Sequence, residues 1–207
     1  MNGPLVRAAL AIVLAVAPGF GQVIEFESNG LKYQTLTRRG VTIMYAHLPA
    51  HVRDFTILQV AVANGSPIYC SIRPVDFVFV RSDGSELRAW PAQQVVSLLV
   101  EKGGRNDVIK LVSAYENALY GMSRMKSTNG YEARRQAALA EVSSTRLKAA
   151  AAASAIALVD TRLSPGQSTD GAVFFPNETK TFGPGRLRVR TATDVFEFQI
   201  EGQPANP

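Results

Sequence analysis

Cysteine, histidine and tryptophan are all scarce in this chain: Cys70 and Trp90 are each alone of their kind, and the histidines are only His47 and His51. A single thiol closes no intramolecular disulfide, so stability must come from packing rather than covalent staples. In an exported chain such a thiol is expected to be buried within a strand and inert. Lysine and arginine number 22 against 17 aspartate and glutamate, for a formal net charge of +5. The basic residues are scattered, and none of their groupings is interleaved with aromatics, which argues against a nucleic-acid partner. No Gly-x-Ser-x-Gly elbow occurs, so a serine-hydrolase centre of that kind has no sequence support. Long apolar runs are missing too, which leaves no bilayer-spanning helix in the mature chain.

The one marked apolar run is terminal. Arg7 precedes Ala8 to Ala17, and the small residues Pro18-Gly19-Phe20-Gly21 follow. That layout is expected of a secretory signal peptide, residues 1–21, cleaved after Gly21 to leave Gln22 as the N-terminus. A retained membrane anchor is the alternative. No cysteine follows the run, which excludes a lipoprotein anchor. Removal of Arg7 lowers the net charge from +5 to +4 (5 − 1). The expected location is the periplasm or the extracellular space.

Residues 22–90 are expected to form the first part of the sandwich, and from Val41 to Trp90 they read as strands between turns. In Val41 to His47, Val41, Ile43 and Tyr45 share one face with His47, and Met44 faces the other way. Phe55 to Val62 places Thr56, Leu58, Val60 and Val62 together, with Gln59 opposite. Asn64-Gly65-Ser66-Pro67 ends that strand, and a strand from Val75 to Val80 turns at Ser82-Asp83-Gly84-Ser85 and returns to Trp90. The same texture resumes in residues 160–202. There, Pro165-Gly166 forms a type II turn before the strand STDGAVFF. It is no phosphate cradle, because a strand rather than a helix follows. Arg186, Arg188 and Arg190 alternate with Leu187 and Val189, giving a half-buried strand whose arginines make a solvated face or, alternatively, an anion-binding patch. Phe196 and Phe198 alternate in the same way, and residues 203–207 form a tail.

Residues 91–159 differ. Pro91 suits a helix start and Gly103-Gly104 a stop; Asn106 or Asp107 can cap a second helix, whose apolar residues recur every three or four positions. A third helix is expected from about Tyr131 toward Val159, roughly 40 Å long. Its alanine-rich end either packs closely on a neighbour or offers a smooth face to another protein. The fold class is therefore mainly β with an α insertion: an antiparallel β-sandwich interrupted by two or three helices.

The segments LQVAVANGSPIYC, DFVFVRSDGSEL, LSPGQSTDGAVFF and DVFEFQI resemble a family of bacterial extracytoplasmic domains related to the mycobacterial immunoprotective extracellular protein. The resemblance covers roughly residues 55–90 and 160–200 and rests on Asn64, on Phe77 to Gly84, and on Leu163 to Ser168 through Gly171 to Phe175. It implies an immunoglobulin-like sandwich and brings no catalytic residues. The helical insertion departs from the compact loop usual in that family.

Metal binding would need three or four ligands. His47 and His51 supply two candidates for zinc or copper, with Met44 or Asp54 nearby, although Pro49 prevents the helix on which a His-x-x-x-His pair usually presents both rings. Asp76 paired with Asp83 or Glu86 is the candidate carboxylate pair for a hydrolase. No cofactor is expected. The expected role is non-enzymatic, through contacts with another envelope protein or with a second copy, by way of the helical insertion. Asn64-Gly65-Ser66 and Asn177-Glu178-Thr179 match glycosylation sequons but read as turns.

Overall fold

A computed structural model describes residues 21–49, 52–111, 144–179 and 182–201. The first sheet grows from two tight hairpins. Asn29-Gly30 has φ of 51° and 73°, and Arg39-Gly40 has 45° and 81°. Two consecutive positive φ values make type I′ turns, whose twist matches that of the strands they join. They link β1 (Ile24–Ser28), β2 (Leu31–Arg38) and β3 (Val41–His47), with Ser28 opposite Leu31 and Arg38 opposite Val41. β4 (Phe55–Asn64) and β9 (Ser168–Pro176) complete an antiparallel sheet of order β1-β2-β3-β4-β9.

A 3-10 turn at Pro74–Asp76 leads into β6 (Phe77–Arg81), followed by β7 (Glu86–Arg88). With β10 (Gly185–Arg190) and β11 (Val195–Ile200) they form a second antiparallel sheet, β11-β10-β6-β7. β5 (Cys70–Ile72) and β8 (Thr161–Leu163) make a two-stranded ribbon. The expected strand from Val75 starts later, at Phe77. Pro74 fits the first position of the turn, and the Asp76 carboxylate accepts the Arg73 N–H at 2.9 Å, holding the turn closed.

Side-chain parity sorts the core. Ile43, Tyr45, Leu58, Val60, Val173 and Phe175 from the first sheet meet Phe77, Phe79, Leu187, Val189, Phe196 and Phe198 from the second in one apolar interior. Full burial of such a side chain stabilises by about 1.5–3 kcal/mol. At one margin, β2 side chains reach the second sheet's edge: Arg38 Nη1 donates to Val195 O at 2.7 Å and Gln34 Nε2 to Gln199 O at 3.2 Å. These bonds occupy β11 carbonyls that no strand covers among the described residues.

The other face of the first sheet carries the helices. α1 (Ala92–Lys102) ends at Gly103; α2 is described over residues 105–111; α3 spans Thr145–Ile156. Val95 and Leu99 of α1, Leu111 of α2, and Ala149, Ala152, Ala153 and Ile156 of α3 pack with Ile57, Ala61, Ala172 and Phe174 of the sheet. β4 is therefore covered on both faces, which explains its continuous burial from Phe55 to Val62. Small side chains let the layers close up. A Cβ on Gly103 would come within 2.7 Å of Ala149 Cβ, and one on Gly171 within 2.7 Å of the Leu158 backbone.

One open alternative for the insertion is decided, and two expectations change. Among its described residues, the alanines of α3 pack against the molecule's own α1 and sheet rather than presenting a smooth outer face. A helix running unbroken from Tyr131 to Val159 is also ruled out. Ser144 is an extended N-cap, and Ala157 leaves the helix so that Leu158 N–H can donate to Ala172 O at 2.8 Å. Asp107 lies inside α2 rather than before it and reaches back to accept the Gly104 N–H at 2.8 Å. Residues 112–143, including the Tyr131 start, lie outside the described residues.

Candidate interaction surfaces

His47 ends β3 on the inter-sheet side, its ring edge-on to Phe182 with centroids 6.0 Å apart. Phe182 in turn packs on Phe79 and Phe175. Met44 is buried on the opposite, helix-covered face, so it and His47 point away from each other. Asp54 is exposed, and its carbonyl accepts the Asn177 N–H. His51 lies outside the described residues. Among the described residues there is no group of three or more His, Cys, Asp or Glu side chains able to hold a metal ion.

The carboxylates do not converge. Asp76 and Asp83 flank opposite ends of β6, a five-residue strand that is about 16 Å long. Each has a local role. Asp76 binds Arg73 at 2.7 Å, while Asp83 accepts the Ser85 N–H at 2.8 Å, and those Ser85 contacts hold its carboxyl below the usual range. Glu86 pairs with Arg188 at 3.2 Å. Arg188 also reaches Glu197 at 3.1 Å, and Arg186 lies 3.8 Å from the same carboxylate. The arginine row is thus partly neutralised by its own neighbours. Cys70 is buried in β5, and burial, assisted by nearby Asp76, pushes its thiol pKa up, away from a reactive thiolate.

Both sequons are structural. Asn64 Nδ2 donates to Ile68 O at 2.7 Å and to Leu163 O at 3.1 Å, while its Oδ1 accepts from Ser66 N and Oγ. Asn177 is buried, donating to Thr56 Oγ1 at 3.0 Å and accepting from Thr179 Oγ1 at 2.8 Å.

What sequence reasoning misses is apolar surface. The Asn64 network pins the loop that leads into β5, and that loop displays Ile68 and Tyr69, 54% and 57% exposed. The Arg162 guanidinium lies 4.3 Å from the centre of the Tyr69 ring. Tyrosine on a braced loop, with an arginine beside it on β8, offers the residue types that anchor protein interfaces. A second apolar pair, Ile24 at 61% and Phe26 at 41%, lies on β1 at the edge of the first sheet. In sequence, such residues beside strand patterns look like core. No family model, curated protein or solved structure matches the chain. No helix among the described residues is long and apolar enough to cross a membrane.

Proposed function

We propose that this chain is an exported, non-enzymatic binding or structural module of the bacterial cell envelope, built on an immunoglobulin-like sandwich and acting through protein–protein contacts. The Arg7-led apolar segment ending at Gly21 supports export, and the two-sheet core supports the sandwich. The observation that carries the reading is the Ile68–Tyr69 pair. Two large apolar side chains are held out to solvent on a loop fixed by four hydrogen bonds from one buried asparagine. A loop already ordered loses little entropy on binding. The partner is another envelope protein or a second copy of the chain.

In-cell photocrosslinking tests this. A benzoylphenylalanine placed at position 69 of the full chain gives a discrete adduct, whereas the same probe at exposed Asp83 gives none. No adduct at position 69 sinks the reading. N-terminal sequencing of the exported protein should begin at Gln22, and a cytoplasmic chain that keeps residues 1–21 would sink the export half.

A further inference from the structure

β1 ends the first sheet, and among the described residues its far side pairs with no other strand. The two-residue turn at Asn29-Gly30 makes Ser28–Leu31 a hydrogen-bonded pair, and such pairs alternate along an antiparallel ladder. Ile24–Thr35 and Phe26–Tyr33 are therefore also bonded pairs, and the N–H and C=O groups of Glu25 and Glu27 point outward, away from β2. The strand offers a different surface on each face. On one, exposed Ile24 and Phe26 form an apolar stripe, with Phe26 stacked on Tyr33 at 5.2 Å and 10°. On the other, Glu25 and Glu27 stand opposite Gln34 and Lys32, leaving one uncompensated negative charge.

Deepening the module reading, we infer that β1 accepts an added strand from a partner protein: an extended segment in which lysine or arginine alternates with aliphatic residues. The outward backbone groups supply the ladder. The carboxylates of Glu25 and Glu27 meet the cations on one face, and Ile24 and Phe26 meet the aliphatic side chains on the other. A second copy of β1 fits poorly, because antiparallel pairing brings Glu25 and Glu27 against their own kind, and like charges opposite each other destabilise a sheet. An edge strand with an exposed apolar stripe is usually blunted or used.

Amide hydrogen exchange by NMR on the mature chain decides the matter. The probe is a capped peptide of alternating lysine and valine, about eight residues long. Its binding slows exchange at Glu25 and Glu27 at least about tenfold, while Phe26 is already protected. A glutamate–valine peptide binds about tenfold more weakly, and the Glu25→Lys/Glu27→Lys chain reverses that preference. Glu27→Pro removes one outward donor and none of the β1–β2 bonds, so it abolishes binding while the circular dichroism spectrum and melting temperature hold. The inference is overturned by unchanged exchange, by binding that survives Glu27→Pro, or by a concentration-dependent dimer that protects the same amides without peptide. Any of these with the position-69 adduct intact refutes strand addition alone; loss of that adduct refutes the broader reading.

Discussion

Replacing Gln59 with methionine should stabilise this protein. Gln59 is fully buried in β4, between Ala46 of β3 and Ala172 of β9. It projects into the layer beneath the helices, with Ile57 and Ala61 on either side along the strand. Among the described residues neither Nε2 nor Oε1 has a hydrogen-bond partner. A buried amide left unpaired costs about 1–3 kcal/mol. Methionine has nearly the same length and volume, so Gln59→Met removes that cost with little repacking. A gain of about 2 kcal/mol corresponds to a rise in melting temperature of about 4–8 °C for a domain of this size. Urea unfolding followed by circular dichroism should show a higher midpoint at unchanged slope. Gln59→Ala, which opens a cavity instead, should not share the gain. A methionine variant with an unchanged or lowered midpoint would show that the amide is satisfied in the folded protein, and would refute the reasoning.

Asn64→Ala, by removing three hydrogen bonds within the loop and one that ties it to Leu163 of β8, should cost about 3 kcal/mol in urea unfolding and should weaken the position-69 crosslink. Tyr45 donates its hydroxyl to Gln34 Oε1 at 2.9 Å, and burial, followed by the nearby Glu25 charge, raises its pKa above the ordinary 10.0. The neutral form is thus favoured on folding. The stability this contributes is intact below pH 10 and is lost as pH rises toward the folded value. Thermal melts from pH 8 to 11 should show a steep decline above about pH 10 that Tyr45→Phe lessens without abolishing, because Tyr33 and Cys70 are shifted in the same direction. Deleting residues 92–158 behind a short linker uncovers Ile57, Ala61, Ala172 and Phe174, so the product should be insoluble or collapsed; a soluble, folded deletion would show that the helices are dispensable to the core.

Much of the architecture is legible in residue alternation. Leu187 and Val189 between arginines, and Phe196 and Phe198 alternating with Val195, Glu197 and Gln199, take the buried positions that a period of two assigns. The parity of His47 and Met44 is readable for the same reason. The hairpins before Val41 are less legible, since Glu25, Glu27, Lys32 and Gln34 dilute the apolar signal; Asn29-Gly30 is the mark that reveals them. The start of α3 is hidden because alanine favours helix wherever it stands, so the break depends on Ser144 and on tertiary packing. The exposed pairs are the least legible. Tyr69 adjoins Cys70, and Phe26 adjoins a strand partner, so only the three-dimensional arrangement separates display from burial.

The pairing of β4 with β9 has a kinetic side. Phe55 lies opposite Pro176, a separation of 121 residues (176 − 55), and β6 finds β10 across a comparable gap. Contacts this distant in sequence fold slowly, because a long loop must close before they return any free energy. Neither sheet can be completed until the last quarter of the chain is present. On the export reading proposed above, that delay is useful: the polypeptide stays threadable through a narrow channel until its last strands have emerged, and only then can both sheets close.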